Sequence, residues 1–523
     1  MDFVARDIIS SLPNPLISHI LSFLPTKEAA STSVLSKRWR YLFGFVTNLD
    51  FDDSVCEDHE GKSDAEISRS FMEFVDRVLA LQGNGNVDRF SLDCSNYDVD
   101  LARVTGWIYN VLGRGVSELD LSLVEYSLPW EIFMSKTLVR LKLGPGQDLR
   151  LTIDRKDVFL PKLKTLCIDS VEVEERGFGF VKLLSGCPVL EELVLNNLGW
   201  EYWKFFTVSL KTLKRLTIFS EDETDENPKS VTLDTPNLVY LEYSDAIAGK
   251  YPKVNLSSLV EAHIDLRMTE DQSADVNFSE DDYFPEDYEE KQVAGNAAEF
   301  FKGICSVQIL YLSAKTIEVL TFCCEPIPVF NNLNQLTIES QSEIGWDSLP
   351  SLLNNCPKLE TLVLKRLLHK YNKGCGNVCC CKRPKHPSCL SSSPVKVLKI
   401  FLFDDNDEED GSEVRQIKYF LEKMPRLEQL LVYYDTSYEP AVLDLSKKLQ
   451  MTSKVASPKC KIQVVSENLS LSCTVPSFLT TKWSTLPPEE EEEHRWVETP
   501  PREIKDSMLM YASSPEEEDY WFH

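Results

Sequence analysis

A leucine-based repeat constrains the fold of this chain more than any other feature of its sequence. The phrase Leu-x-x-Leu-x-Leu, with conservative apolar substitutions, recurs at starts mostly 21–29 residues apart, which is the spacing of leucine-rich repeats. Its clearest copies begin at Leu138, Leu163, Leu190, Leu213, Leu333, Leu359 and Leu427. Weaker copies begin at Val87, Val116, Leu238, Leu259, Val307 and Val395.

The repeat predicts an α/β solenoid. In each copy the x-Leu-x-Leu portion forms a short strand whose inward leucines stack on those of adjacent coils, and the other residues return by a loop or helix. Prolines in pairs such as Cys187-Pro188 and Cys356-Pro357 end the return helix just before the next strand. The alternative is an ordinary α/β domain rich in leucine, and thirteen copies in loose register argue against it.

The first 45 residues predict a compact group of three helices. Asn14 is expected to cap the first helix, with Pro15 at its first position, and Thr26 and Ser36 are expected to cap the second and third. A unit this small buries too little apolar surface to be stable alone. We therefore expect it to pack against its neighbour in the chain or against a partner.

The chain is strongly acidic, with 55 basic and 83 acidic residues and a net charge of -28. Two segments carry most of the excess, because 269–290 has ten acidic residues and no basic one, and 487–523 has twelve acidic against three basic. A surface of this sign repels phosphate groups, so we expect no nucleic-acid partner and no membrane partner.

We expect an intracellular protein of the nucleus or cytoplasm. The N-terminus lacks the basic start and apolar run of a secretory signal, and no stretch of 18 apolar residues occurs. The fifteen cysteines are then expected to be mostly thiols.

The sequence contains no motif of a known catalytic centre, so we expect a non-enzyme without a cofactor. One cluster of thiols could hold a tetrahedral zinc ion, although its spacing matches no paired Cys-x-x-Cys site and a loop without metal is the simpler interpretation. The cluster consists of Cys375, Cys379, Cys380, Cys381, His386 and Cys389. We therefore assign no metal-binding residue.

The N-terminal helices resemble an F-box, in the stretch Leu12-Pro13-Asn14-Pro15-Leu16-Ile17-Ser18-His19-Ile20-Leu21-Ser22-Phe23-Leu24-Pro25 and in Val34-Leu35-Ser36-Lys37-Arg38-Trp39-Arg40. The region 393–465, with Val395-Lys396-Val397-Leu398-Lys399-Ile400, resembles the FBD region of plant F-box/leucine-rich-repeat proteins.

This resemblance implies the substrate receptor of an SCF-type ubiquitin ligase. The F-box would bind a Skp-family adaptor, and through it the cullin and RING subunits, while the repeats would hold an unknown target protein. The adaptor-binding residues that it implies are Leu12, Pro13, Ile20, Leu21, Leu24, Pro25, Val34, Leu35 and Trp39. A non-ligase binding scaffold and a small-molecule-dependent receptor remain as alternatives.

The expected architecture is an α/β chain with four parts. A three-helix F-box spans 1–50, and a leucine-rich-repeat solenoid, an α/β horseshoe, spans 87–392 with an acidic insert at 269–290. An FBD-like region at 393–465 continues the repeats, and an acidic, mostly disordered tail follows at 466–523.

Overall fold

The structure is a computed structural model. It describes residues 11–54, 63–145, 149–151, 157–173, 177–197, 205–220, 227–277, 297–370, 378–380, 388–403, 412–436, 438–456, 460–466, 469–472 and 480–482. Residues up to Thr481 form one compact unit, and the architecture below lies in this unit apart from Lys482, the last described residue.

Helices open the chain and then alternate with strands. Their bounds are α1 Asn14–Leu21, α2 Thr26–Ser31, α3 Lys37–Phe43, α4 Asp64–Gln82, α5 Leu101–Gly113, α6 Phe178–Ser185, α7 Glu270–Asn277, α8 Ala298–Gly303, α9 Ala314–Phe322, α10 Leu349–Asn354, α11 Ser412–Lys423 and α12 Glu439–Ala456. Short 3-10 turns occur at Thr32–Val34, Trp130–Met134 and Cys389–Ser391.

The strands are short, as the repeat predicts. Their bounds are β1 Asn48–Asp52, β2 Arg89–Cys94, β3 Glu118–Leu123, β4 Arg140–Leu143, β5 Leu149–Leu151, β6 Thr165–Asp169, β7 Val171–Val173, β8 Glu192–Asn196, β9 Phe206–Ser209, β10 Arg215–Phe219, β11 Val231–Asp234, β12 Tyr240–Ala246, β13 Lys253–Asn255, β14 Glu261–Arg267, β15 Ile309–Leu312, β16 Gln335–Glu339, β17 Thr361–Lys365, β18 Val397–Phe403, β19 Gln429–Asp435, β20 Lys461–Val465, β21 Leu469–Ser472 and β22 Thr480–Lys482.

A single parallel sheet follows the order of the chain. β1 pairs with β2, and the pairing continues through β3, β4, β6, β8, β10, β12 and β14 to β20, each strand parallel to the one before it. This is the arrangement of a solenoid, because every coil contributes one strand and contacts only its neighbours. The predicted solenoid is confirmed.

The core is built from leucines that occupy the same position in successive coils. Leu193 on β8 is the register partner of Leu216 on β10, which is in turn the partner of Leu241 on β12, and all three are fully buried. The strand residues between them alternate to the other face of the sheet, which we call the open face. The open face therefore carries the side chains that are available for recognition.

The return segments complete each coil on the core side of the sheet. Some coils return by a helix, such as α6 or α10, and three return through the small parallel sheet of β9, β11 and β13, whose Phe206, Val208 and Leu233 are buried. Cys187 and Cys356 end two of the helical returns, and each thiol donates to the carbonyl four residues earlier, at 3.3 Å and 3.1 Å. The Cys-Pro pairs thus close the helix as the sequence predicts.

The F-box helices pack on the first coil. Ile17, Leu21 and Leu42 join the same buried core as Leu49 of β1. Two hydrogen bonds connect the F-box to the first coil. Thr26 Oγ1 accepts from the Asp50 amide at 2.6 Å, and Asn48 Nδ2 donates to the Ser22 carbonyl at 3.4 Å. The expectation that these helices pack against their neighbour is confirmed.

Two coils exist that the repeat search did not predict, and they move the predicted boundaries. β1 forms a coil through Leu49 and Phe51, so the boundary drawn at residue 50 lies inside a strand. β20 forms another, and β21 turns back to pair with it antiparallel, so ordered structure extends into the region 466–523. The region 269–290 begins with helix α7.

Replacing a stacked leucine should destabilise the solenoid far more than replacing its neighbour on the open face. Leu195→Ala removes a fully buried side chain from β8 and should cost about 2–5 kcal/mol. Val194→Ala, on the other face of the same strand, should cost less than about 1 kcal/mol. Denaturant midpoints of the two variants, followed by circular dichroism, measure this difference. Equal shifts would contradict the assignment of the two faces.

A methyl group at Gly186 should also destabilise the fold, because the end of α6 approaches the preceding coil closely. A Cβ built there would lie 2.6 Å from the Val158 carbonyl oxygen, whereas a Cβ at Gly113, the last residue of α5, meets nothing within 4 Å. We expect Gly186→Ala to lower Tm by several degrees and Gly113→Ala to leave it unchanged or raise it. Thermal melts of both variants test the close approach, and an unshifted Tm in Gly186→Ala would refute it.

Candidate functional site

The first helix has two apolar faces. Ile17 and Leu21 lie inward and are fully buried, as the F-box packs on the first coil. Leu16, Ile20 and Phe23 share another face at the spacing i, i+4 and i+7, and they are 50%, 43% and 74% exposed. Three large apolar side chains on one exposed face are unfavourable in water, so this face is suited to contact with a partner.

A pair of exposed apolar side chains follows α2. Val34 and Leu35 lie in the turn before α3 and are 81% and 66% exposed. Ser36 then caps α3 by accepting a hydrogen bond from the Trp39 amide at 3.3 Å. The predicted cap at Ser36 is confirmed, and it fixes where the exposed turn ends and the helix begins.

The nine predicted adaptor-binding residues divide into three groups. The exposed group is Pro13, Ile20, Pro25, Val34 and Leu35. Leu12 and Leu24 are half-buried against the core. Leu21 and Trp39 are buried, at 0% and 8% exposure. Leu21 and Trp39 therefore contribute to the core of the F-box, and contact of the nine residues with an adaptor stays a prediction.

Two predicted helix caps are wrong. The residue before α1 is Pro13, and the Asn14 carboxamide oxygen instead accepts from Arg38 Nε at 2.9 Å, which joins α1 to α3. The residue before α2 is Pro25, and the Thr26 hydroxyl is used by the Asp50 amide of β1. Both side chains make long-range hydrogen bonds that local sequence rules do not contain.

Some exposed apolar residues were missed by the sequence analysis. Leu16 and Phe23 complete the outer face of α1, and Tyr41 and Phe45, 62% and 55% exposed, form an edge-to-face pair with centroids 4.8 Å apart. The spacing Leu16, Ile20 and Phe23 was a detectable signal, because it forms a second helical stripe beside Ile17, Leu21 and Leu24. No comparable local signal distinguishes Tyr41 from the buried Leu42 beside it.

The middle strands of the open face carry a paired network of aromatic and charged side chains. His263 is sandwiched between Tyr240 and Tyr311, with ring centroids 5.5 Å apart on both sides, and Arg215 lies 4.0 Å above the Tyr240 ring. Each of the three ring side chains forms a hydrogen bond with a glutamate. Tyr240 donates to Glu242 at 3.3 Å, His263 Nε2 lies 2.7 Å from Glu261 Oε1, and Tyr311 donates to Glu339.

The two tyrosines of this network stay protonated at neutral pH. Burial raises the pKa of the Tyr240 and Tyr311 phenols, and the neighbouring glutamates raise it further. The phenols therefore act as hydrogen-bond donors to the glutamates. The network is internally satisfied, which makes it a rigid part of the sheet surface.

The thiol cluster is only partly described. Cys379 is buried, Cys380 is exposed and Cys389 is half-buried, and all three lie near Tyr419. Cys375, Cys381 and His386 lie outside the described residues. Among the residues that the structure describes, no group of three or more His, Cys, Asp or Glu side chains is placed to hold a metal ion.

A groove of about 760 Å³ runs along the edge where strands β16 to β19 begin. Pro357, Pro394 and Pro425 line it, together with charges of both signs. Lys396 Nζ lies 2.8 Å from Glu360 Oε1 within the groove. This groove lies at the edge of the sheet, and Lys396 and Glu360 form an ion pair within its lining.

Comparison with known proteins agrees with these features. The F-box domain model matches residues 9–47, and a model described as the LRR repeats of the FBD-associated F-box protein At5g56370 matches residues 104–259. The chain is 79% identical over 523 residues to F-box/LRR-repeat protein At3g59200 of Arabidopsis thaliana, with 100% of both chains covered. It is 54% identical over 475 residues to F-box/LRR-repeat protein At4g14096 of the same organism, covering 90% of this chain and 97% of the relative.

The chain belongs to the F-box/LRR-repeat family. Its relatives also include the putative F-box/FBD/LRR-repeat protein At3g59240 of Arabidopsis thaliana, 47% identical over 89% of this chain and 91% of the relative. F-box domains generally bind Skp1-type adaptors, and F-box/LRR-repeat proteins are typically non-enzymatic substrate adaptors of SCF ligases. The assignment of 393–465 to an FBD region stays a prediction. In the part of the chain that is described, no helix is long and apolar enough to cross a membrane.

The thiols of this F-box/LRR-repeat chain should differ sharply in reactivity. Burial raises the pKa of both Cys187 and Cys356 to about 12, whereas Cys380 is exposed. Because the thiolate is the reactive form, a rise in pKa from 9 to 12 lowers its fraction at pH 8 roughly a thousandfold. We expect iodoacetamide to modify Cys380 well before Cys187 and Cys356, as measured by peptide mass spectrometry. Denatured chain serves as the control in which the three rates converge, and equal rates in the folded chain would contradict the burial.

Proposed function

We propose that the chain is the substrate-recognition subunit of an SCF-type ubiquitin ligase. Its F-box binds a Skp-family adaptor, which connects it to the cullin and RING subunits, and its repeats bind the target protein. The chain supplies no catalysis of its own. Its site of action is intracellular, in the nucleus or cytoplasm.

The observation that supports this proposal best is the exposed apolar surface of the F-box. Ile17, Leu21 and Leu42 are buried in the core that the domain shares with the first coil. Large apolar side chains remain exposed just after α1 and in the turn before α3, where Phe23, Val34 and Leu35 are 66–81% exposed. Transfer of a side chain of this size out of water is worth about 1.5–3 kcal/mol, so an adaptor that covers several of them gains substantial binding energy.

The repeats support the second half of the proposal. The solenoid holds its open-face side chains on a continuous parallel sheet, so a target meets a surface whose geometry is set by the core behind it. Binding a target at one end and the ligase at the other raises the effective concentration of the target lysines near the charged ubiquitin-conjugating enzyme.

Charged substitutions on the exposed F-box face should abolish adaptor binding without unfolding the chain. We expect Phe23→Asp/Leu35→Asp to weaken binding of a purified Skp-family adaptor at least tenfold, because both side chains would be desolvated at the interface. The matched control is Leu81→Asp on α4, which is also exposed, at 62%, but lies outside the F-box. Isothermal titration calorimetry measures the affinities, and circular dichroism checks the fold.

Two outcomes would count against the proposal. A folded wild-type chain that binds no Skp-family adaptor would make the protein a repeat scaffold outside the ligase. Equal weakening by Leu81→Asp and by the F-box variant would show that the exposed F-box face is not the docking surface.

A further inference from the structure

The last coils of the sheet differ from the others on the open face. Their outward positions, which we call the C-terminal patch, are those of residues 361–365, 397–401, 429–433 and 461–465 on β17 to β20. Six of these outward side chains are apolar: Val363, which is buried, and Val397, Phe401, Leu431, Tyr433 and Val465, which are half-buried. Partly exposed apolar residues on the face away from the core are suited to contact with a ligand.

An aromatic pair lies within the patch. Phe401 on β18 and Tyr433 on β19 are register partners, and their rings stack with centroids 4.5 Å apart and an interplanar angle of 9°. Both side chains are half-buried. Because the two rings face each other, the pair presents apolar ring edges on this side of the sheet, against which a large apolar or aromatic side chain of a ligand can pack.

Three lysines accompany the aromatic pair. Lys365, Lys399 and Lys461 occupy outward positions of β17, β18 and β20, and among the described residues none of them forms an ion pair. The Lys365 ammonium lies 5.0 Å from the centroid of the Tyr311 ring on β15. No carboxylate occupies an outward position of the patch. The closest in register are Glu339 on β16, which accepts a hydrogen bond from Tyr311, and Asp435 at the end of β19. A positive patch in a chain of net charge -28 therefore selects for a negative ligand.

The spacing of two lysines restricts the ligand further. Phe401 is the register partner of Lys365, and Lys399 lies two residues before it on the adjacent strand. Such diagonal neighbours have Cα atoms about 7–8 Å apart. In an extended peptide, side chains two residues apart on one face are separated by about 7 Å. Two carboxylates at positions i and i+2 can therefore meet both lysines at once.

We infer that the C-terminal patch binds an acidic, extended segment of the target protein that carries one large apolar or aromatic residue. Its carboxylates pair with Lys365 and Lys399, and its apolar side chain packs on Phe401 and Tyr433. The inference rests on the proposed function, because it names the class of target segment that the repeats recognise.

A defined peptide tests the inference on the full chain in complex with its adaptor. The probe is a fluorescein-labelled nonapeptide in which a central phenylalanine is flanked by acid–x–acid pairs. One comparison peptide has glutamine in place of every acid, and another has alanine in place of the phenylalanine. Fluorescence anisotropy measures the affinities at low and high salt. We expect the probe to bind more tightly than both comparison peptides, and its affinity to fall with salt because its ion pairs are partly exposed.

The variants place the binding on the patch. Lys365→Glu/Lys399→Glu and Phe401→Ser/Tyr433→Ser should each weaken binding of the probe at least tenfold. The matched control is Arg89→Glu/Arg140→Glu, which reverses two exposed charges at outward positions of β2 and β4. This control should change the affinity less than about twofold, because it lies many coils from the patch.

Several results would overturn the inference. One is that the wild-type chain shows no saturable binding of the probe up to about 1 mM, the upper end of weak peptide recognition. Another is that the control variant loses as much affinity as the patch variants. A third is that the probe binds only after residues 487–523 are removed, or only after the six acidic residues of 404–410 are neutralised. The ligand of the patch would then be an acidic segment of the chain itself. Adaptor binding measured on the same preparations separates the two proposals, because its loss counts against the ligase role alone.

Discussion

The lateral stacking of buried leucines between successive coils holds this structure together. No coil has a hydrophobic core of its own, since residues such as Leu193, Leu216 and Leu241 are buried only because the neighbouring coils cover them. A solenoid built in this way has two open ends, where the outermost coil lacks a neighbour. At the first end the F-box covers β1, with the Thr26 hydroxyl bonding to the Asp50 amide, and at the other β21 turns back onto β20. The F-box thus covers the first end of the repeats, in addition to the docking role proposed for it.

This dual role explains which F-box side chains remain available to a partner. The side of α1 with Ile17 and Leu21 is buried in the core, and the neighbouring stripe of Leu16, Ile20 and Phe23 is exposed. The same division buries Trp39 and leaves Leu35 in water. A docking surface on such a domain consists of the apolar side chains that are not buried in the core shared with the first coil.

The open face varies in chemistry along the solenoid although its backbone repeats. The first strands expose carboxylates such as Asp50 and Asp52, the middle strands pair their aromatic rings with glutamates, and the last strands combine lysines with apolar side chains. The leucines that build the core do not restrict these positions. A solenoid can therefore change its partner by substitution on the open face at little cost in stability.

The order of coils and the helical F-box were predictable from sequence, because each depends on a local pattern. The leucine spacing predicts the strands, and Ser36 before Trp39 predicts a cap. Asn14 and Thr26 behaved differently, since their side chains bond to Arg38 and Asp50, which are distant in sequence. The tertiary structure alone decided which stripe of α1 is buried, which lysines lie on the strands next to Phe401 and Tyr433, and where the solenoid ends. The physical reason is that burial and pairing depend on neighbours in space, and a repeating backbone brings together residues that are 21 to 48 positions apart.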